Sequence, residues 1–137
     1  MPESFQLTVL TPVRTLLDER VESVVAPGSE GYLGVLANHA PLITSLVPGK
    51  LTVRLAGGET RIFAVSGGFL EVSANQAVIL ADAMEDPGQI DLDRAKRAAE
   101  RARERLRDLH GQWDVERAQA ALARALNRTK VASEPKE

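Results

Sequence analysis

The sequence predicts a mainly β plus α protein, in which a small antiparallel β domain precedes a pair of helices. Three observations carry this. The first ninety residues run as short apolar segments punctuated by Gly and Pro, the apolar period changes from two to 3.6 residues beyond Pro87-Gly88, and the charge changes sign at the same place. Residues 1 to 90 hold five basic and ten acidic side chains, net −5, whereas residues 91 to 137 hold twelve and nine, net +3. An acidic module and a mildly basic one should prefer different partner surfaces. The expected division is 1–86 for the β domain and 87–137 for the helical hairpin.

In chain order, Phe5, Leu7 and Val9 alternate with Gln6, Thr8 and Leu10, the two-residue period of a strand with one buried face, and Pro12 ends it. Val13 to Leu17 and Arg20 to Ala26 read as two further strands separated by Asp18-Glu19, with Pro27-Gly28-Ser29 as turn chemistry. Gly31 to Leu36 and His39 to Leu46 follow. Leu51 to Leu55 and Thr60 to Val65 flank Gly57-Gly58-Glu59, a hairpin signal because glycine reaches positive φ without steric cost. Phe69 to Ser73 turns through Ala74-Asn75-Gln76 into Ala77 to Ala81. Eight to ten short strands with no helix between them point to a sandwich or flattened barrel.

Past Pro87, Leu92, Ala95, Ala99, Ala102, Leu106 and Leu109 share a helical face, and Asp91 stands where an N-cap carboxylate accepts backbone N–H groups. His110-Gly111-Gln112 breaks the run, Asp114 can cap a second helix, and Ala118, Ala121, Leu122 and Ala125 form its small apolar face. So short a connection implies an antiparallel hairpin. Alanine faces approach closely and bury little, so this hairpin should open at modest cost.

At 137 residues, 44% hydrophobic and 26% charged, the composition is that of an ordinary folded domain. The absence of cysteine excludes thiolate chemistry, disulfides and Cys-based metal sites, and is natural for a reducing compartment. Met1 to Phe5 lack a basic and then apolar leader pattern, and no stretch approaches a membrane span, so membrane association is expected only through a partner.

The search for chemistry is largely negative. Gly49-Lys50 lacks the remaining positions of a phosphate loop, and Ala64-Val65-Ser66-Gly67-Gly68 fits a turn between strands better than a nucleophile elbow. His39 and His110 have no partner at metal-ligand spacing, and no acid, base and nucleophile set can be named. The chain does not read as an enzyme by itself. Nucleic-acid binding is disfavoured by an acidic β domain and a helical module with one aromatic, Trp113. Arg94 and Arg101 lie on one side of the first helix, Arg124 and Arg128 on one side of the second, and a closed hairpin can bring the four near Asp91. On the residues alone this is a solvated face compensated by Glu100, Glu104 and Asp108, with nucleic-acid binding as its weak functional rival.

Gly34-Val35-Leu36-Ala37-Asn38-His39-Ala40-Pro41-Leu42, Val65-Ser66-Gly67-Gly68-Phe69-Leu70-Glu71-Val72 and Ile90-Asp91-Leu92-Asp93-Arg94-Ala95 occur in one order, with the strand end Leu80-Ala81-Asp82 between the last two. Together, and over essentially residues 4 to 130, the chain resembles the epsilon subunits of bacterial F-type (F1Fo) ATP synthases, counterparts of the mitochondrial delta subunit. The resemblance implies a ten-stranded β-sandwich with a C-terminal two-helix hairpin, carried in the central rotor stalk. It implies a noncatalytic subunit that helps couple proton translocation to ATP synthesis, on the cytoplasmic face of the bacterial cell membrane and peripheral to it. The sandwich would touch the gamma subunit and the c-subunit ring. The hairpin would unfold toward the alpha/beta hexamer to block hydrolysis, its basic residues meeting an acidic segment of beta.

In some members, notably from thermophilic bacilli, the folded hairpin binds ATP through the pattern Ile/Leu-Asp-x-x-Arg-Ala, which stands here as Ile90 to Ala95. Carried over residue by residue, the resemblance assigns nucleotide contacts to Glu85, Ile90, Asp91, Arg94, Arg101, Arg124 and Arg128. ATP would be a regulatory ligand, with no catalytic cofactor and no metal. The loops holding Glu30 and His39, flanked by exposed Tyr32 and Leu42, are expected at the ends of the sandwich that meet the rotor. A rotor-bracing subunit without nucleotide sensing is the alternative within the same complex, and a nucleotide sensor acting alone is the alternative outside it.

Overall fold

The computed structural model describes residues 3–107 and 115–133. Nine strands come first: β1 (Phe5–Leu10), β2 (Thr15–Gly28), β3 (Gly31–Leu36), β4 (Leu42–Leu46), β5 (Gly49–Leu55), β6 (Thr60–Val65), β7 (Gly68–Ser73), β8 (Gln76–Ala81) and β9 (Met84–Glu85). A 3-10 turn at Pro87–Gln89 leads to helices α1 (Leu92–Arg107) and α2 (Val115–Ser133). The sheet runs β1-β8-β7-β4-β2-β5-β6-β9, with β3 on β2 and a further β1–β2 pairing that closes part of it on itself. The expected sandwich followed by two helices is therefore present.

Two details differ from the sequence expectation. Nine strands are described where the resemblance implied ten: the segments on either side of Asp18-Glu19 form one continuous strand, β2, of 14 residues, and a short strand not read from the sequence, β9, follows β8. Asp18 is not a turn residue: its Oδ1 accepts from Gln6 Nε2 at 2.6 Å and Thr8 Oγ1 at 3.1 Å, so β1 holds that part of β2 extended. The second difference is that the sheet is not wholly antiparallel. β1 runs parallel to β8, Leu7 opposite Ala77 and Val9 opposite Ile79. Strands so far apart in sequence are not constrained by a tight turn, which would force the antiparallel arrangement.

β2 serves both layers. Its first half pairs with β1 up to Phe5 opposite Val21; its second half pairs with β3 and β5, Val24 lying opposite both Val35 and Val53. The β2–β5 register shifts between Val21 and Ser23, where the strand changes partners. Alternate residues then point inward: Phe5, Leu7, Val9, Val21, Val24, Val35, Leu51, Val53, Leu70, Val72 and Ile79 are all buried in one core. No helical residue belongs to that core.

The hairpins follow their turn chemistry. Gly58 closes β5–β6 at φ +91°. The β7–β8 turn is the two residues Ala74-Asn75, at φ +49° and +58°, with Ser73 opposite Gln76, the geometry of a primed turn. Asn75 suits that region, and its side chain is used: Oδ1 accepts from the Asn38 N–H at 2.7 Å and Nδ2 donates to the Ser4 carbonyl at 3.1 Å. Ala74 has no such compensation.

The helices behave as their small-residue stripes require. Ala95, Ala99 and Ala102 of α1 and Ala118 and Ala125 of α2 are buried, with Leu92, Leu106, Ala121 and Leu122 half-buried beside them. Asp91 Oδ1 accepts the Arg94 N–H at 3.0 Å and so caps α1. Leu109, His110, Gly111 and Asp114, assigned above to the helix end, break and second cap, lie outside the described residues. The hairpin rests on the sandwich through a second, smaller cluster of Ala64, Ile90, Ala95 and Val131, with Ile62 and Ala132 at its edge. Asn127 adds two hydrogen bonds across the same seam, Nδ2 donating to the Gly49 carbonyl at 2.9 Å and the Val65 carbonyl at 3.2 Å.

Two expectations follow from this packing. Ala74→Gly should stabilise the protein by about 0.5–1 kcal/mol, the left-handed penalty of alanine exceeding the extra freedom glycine has when unfolded; a denaturant midpoint that falls would contradict it. A fragment of residues 1–86 should unfold cooperatively by itself, since its core takes nothing from the helices and Ala64 is its only buried side chain in the seam. A featureless denaturation curve for that fragment would overturn the independence of the sandwich.

Candidate functional site

A cleft of about 530 Å³ opens between the hairpin and the end of the sandwich. Its sandwich wall is Ser66, Asp82, Ala83 and Glu85, and its helical wall is Ala98 from α1 with Ala121, Arg124, Ala125 and Arg128 from α2. Alanine at three helical positions leaves the room. Arg124 and Arg128, four residues apart on one helical face, supply the positive charge. Glu85 sits on the short strand β9, held beside β6 by the Ala64–Glu85 pairing.

Arg128 and Glu85 join the walls. Arg128 Nη2 donates to Glu85 Oε2 at 2.9 Å, and Nε lies 2.7 Å from Oε1 as a charge contact without an aligned hydrogen bond. Both side chains keep about 30% of their surface exposed, so the pair is only partly shielded from water.

Three of the seven nucleotide-contact residues implied by the resemblance, Glu85, Arg124 and Arg128, line this cleft. The others do not. Ile90 is buried in the seam between hairpin and sandwich, and Asp91 is occupied as the cap of α1. Arg94 and Arg101 are exposed; they stand four residues before and three after Ala98, hence one turn to either side of the cleft on the same helical face. Of the acids expected to compensate a solvated face, Glu100 is engaged along its own helix, with Arg107 at 3.0 Å and Arg103 at 3.9 Å, and Asp108 lies outside the described residues. Among the described residues, Arg94, Arg101 and Arg124 have no carboxylate partner.

The expected rotor-facing residues divide between two places. Glu30 lies in the turn joining β2 to β3, and His39 in the loop beyond the other end of β3. A six-residue strand separates them, about 20 Å, so they mark opposite ends of the sandwich. Tyr32 is 58% exposed as expected, with its hydroxyl accepting the Lys50 N–H at 2.9 Å. His39 Nδ1 is 2.7 Å from the Ala40 carbonyl. Leu42 was expected to be exposed and is instead half-buried, because it opens β4 opposite Val72 and packs on the main core.

Sequence reasoning missed an apolar outer face. Ile43, Phe69 and Leu80 are 75%, 58% and 51% exposed. Phe69 lies directly opposite Leu80, Leu80 opposite Leu10, and Ile43 opposite Glu71 two residues from Phe69. The signal was available: Leu42-Ile43, Phe69-Leu70 and Val78-Ile79-Leu80 are apolar on consecutive positions, so those strands are apolar on both faces. A patch of this kind on a folded domain marks a contact surface. Among the described residues no group of His, Cys, Asp and Glu is arranged to hold a metal, and no described helix is long and apolar enough to cross a membrane.

The described residues thus form a two-part protein, a β-sandwich followed by two helices, with a charged cleft between the parts. The beta-sandwich domain of the ATP synthase Delta/Epsilon chain matches residues 4–87, and the long alpha-helix domain of the same chain matches residues 89–133. The chain belongs to the ATP synthase delta/epsilon family, whose members are structural and regulatory subunits of that complex and not its catalytic ones. It is 46% identical over 132 residues to the ATP synthase epsilon chain of Desulforamulus reducens, covering 96% of this chain and 99% of that one. It is 49% identical over 129 residues to the ATP synthase epsilon chain of Moorella thermoacetica, covering 94% and 96%. In three dimensions it is similar to a chain in the Euglena gracilis mitochondrial ATP synthase OSCP/F1/c-ring structure, with TM-score 0.83, 26% identity and coverage of 93% and 80%. A chain of the Tetrahymena thermophila mitochondrial central stalk and c-ring structure shares the fold at TM-score 0.67 and 17% identity, covering 96% of this chain and 98% of that one.

Proposed function

We propose that this chain is a coupling and regulatory subunit of a proton-translocating ATP synthase, carried on the rotor at the cytoplasmic face of the membrane. Its sandwich holds the gamma subunit and the c ring, and its hairpin limits ATP hydrolysis by leaving the sandwich and extending toward the alpha/beta subunits. ATP binds the docked hairpin and opposes that extension. The observation that carries this reading is the cleft where Arg124 and Arg128 face Glu85 across alanine walls, with Arg94 and Arg101 on the adjoining helix face. A triphosphate satisfies several guanidinium groups through charge-assisted hydrogen bonds. A ligand moves the hairpin only by its differential affinity for the two states, so inhibition should fade as ATP rises through the dissociation constant of the docked form.

A bracing subunit that senses no nucleotide is the second reading. It draws on Ile90 and Asp91, which are already used as a seam residue and a helix cap. Calorimetric titration of the isolated protein with ATP separates the two. Saturable binding without hydrolysis is expected, weakened about ten- to hundredfold by Arg124→Ala or Arg94→Ala for each charged hydrogen bond lost. An absence of saturation up to millimolar ATP would leave the bracing reading in its place.

For the rotor contact, the exposed apolar face of Ile43, Phe69 and Leu80 supplies the surface that gamma would cover. Phe69→Asp and Leu80→Asp should each reduce binding to a gamma chain by tenfold or more and cost about 1–2 kcal/mol of stability, the loss of their cross-strand pair, without unfolding the sandwich, since neither side chain is in the core. Undiminished binding by both variants would move the contact to another face.

A further inference from the structure

We propose that Asn127 is the catch that keeps the hairpin on the sandwich, a positioning residue separate from the arginines that would receive a ligand. It rests on the reading above that the hairpin leaves the sandwich, and it concerns what must break first. An amide nitrogen carries two protons, and Asn127 Nδ2 directs them to the Gly49 carbonyl at 2.9 Å and the Val65 carbonyl at 3.2 Å. Gly49 and Val65 are directly opposite one another at the end of the β5–β6 ladder, so one side chain grips two strands at once. The carbonyls belong to the backbone of the rigid sandwich and cannot follow the helix when it moves.

Asn127 also stands where the rest of the seam is thin. The apolar part consists of Ala64, Ile90, Ala95 and Val131, and asparagine inside a helix is otherwise a poor choice compared with alanine. Arg128, the next residue, lies about 100° further round α2 and faces the cleft, paired with Glu85. The two neighbours therefore divide the work: Asn127 grips the main chain of the sandwich, and Arg128 meets charge. Whatever fixes Arg128 also fixes the backbone that carries Asn127, so the catch and the cleft engage and release together. Once the helix lifts, both carbonyls and the amide are hydrated, which makes the catch reversible.

The test uses the full chain without nucleotide, and exploits its lack of native cysteine. Ala64→Cys puts a thiol beneath the hairpin, and Ala77→Cys puts one in the sandwich core, both positions being buried. The rate of reaction with a thiol reagent then reports hairpin lifting at residue 64 and unfolding of the sandwich at residue 77. Residue 64 should react faster than residue 77 in the otherwise native chain, and Asn127→Ala should raise its rate about ten- to hundredfold, the loss of two hydrogen bonds. Asn127→Leu, which keeps bulk and loses both donors, should do the same, and Asn127→Asp should exceed both because its carboxylate faces two carbonyl oxygens. Since alanine favours the helix more than asparagine does, an increase in Asn127→Ala cannot come from a weakened α2. Equal rates at 64 and 77, an unchanged rate at 64 in Asn127→Ala, or a normal rate in Asn127→Leu would each overturn the catch. No ATP enters these measurements, so failure of the nucleotide reading would appear separately, as missing saturation in the titration.

Discussion

The seam between hairpin and sandwich is a small apolar cluster: Ala95 and Val131 from the helices, Ile90 from the joining segment and Ala64 from β6, with Ile62 and Ala132 at its edge. At about 25 cal/mol per Å² of apolar area, so few side chains, half of them alanine, gain far less than the core of the sandwich. Polar contacts therefore decide whether the hairpin stays. Asn127 and the Arg128–Glu85 pair cross the seam, and both can be exchanged for water or a ligand at small net cost. A regulatory element needs this balance, because an element held by a deep core could not be moved by the differential affinity of a small molecule.

The sandwich is built on the opposite principle. Its core fills with Phe5, Leu7, Val24, Leu51, Leu70 and Ile79, and β2 pairs with strands of both layers, so the layers cannot separate without breaking one continuous strand. Rigidity there has two uses. It fixes the Gly49 and Val65 carbonyls against which the hairpin registers, and it presents Ile43, Phe69 and Leu80 as a flat apolar face for a partner. A stiff anchor with a loosely attached arm is the mechanical arrangement that the proposed function requires.

The electrostatics follow the same division. The sandwich contributes carboxylates to the cleft, Asp82 and Glu85, and the hairpin contributes guanidiniums. Glu100 is paired along its own helix with Arg103 and Arg107, and among the described residues Arg94 and Arg101 have no carboxylate partner. Under the proposed function this positive face would meet an anion in the docked hairpin and an acidic protein surface in the extended one. In the proposed function the same charges would serve two partners, one for each position of the hairpin.

Most of the architecture was legible in the sequence, since it depends on local chemistry. Alternation marked the inward residues of β1, glycines marked the β5–β6 turn, the alanine stripes marked the buried helix faces, and Asp91 was identifiable as the cap of α1 from its place before the apolar period. The motifs around His39, Gly67 and Asp91 sufficed for the family. What sequence could not decide are relations between residues far apart in the chain. The continuity of β2 past Asp18 depends on Gln6 and Thr8, the parallel pairing of β1 with β8 joins the two ends of the sandwich, and Leu42 is half-buried because of what β7 does beneath it. Asn127 carries no local signal, because its partners lie 78 and 62 residues away. The division of the seven candidate nucleotide contacts between cleft, seam and cap likewise needed tertiary structure: a helix repeat tells which residues share a face, and only packing tells what that face meets.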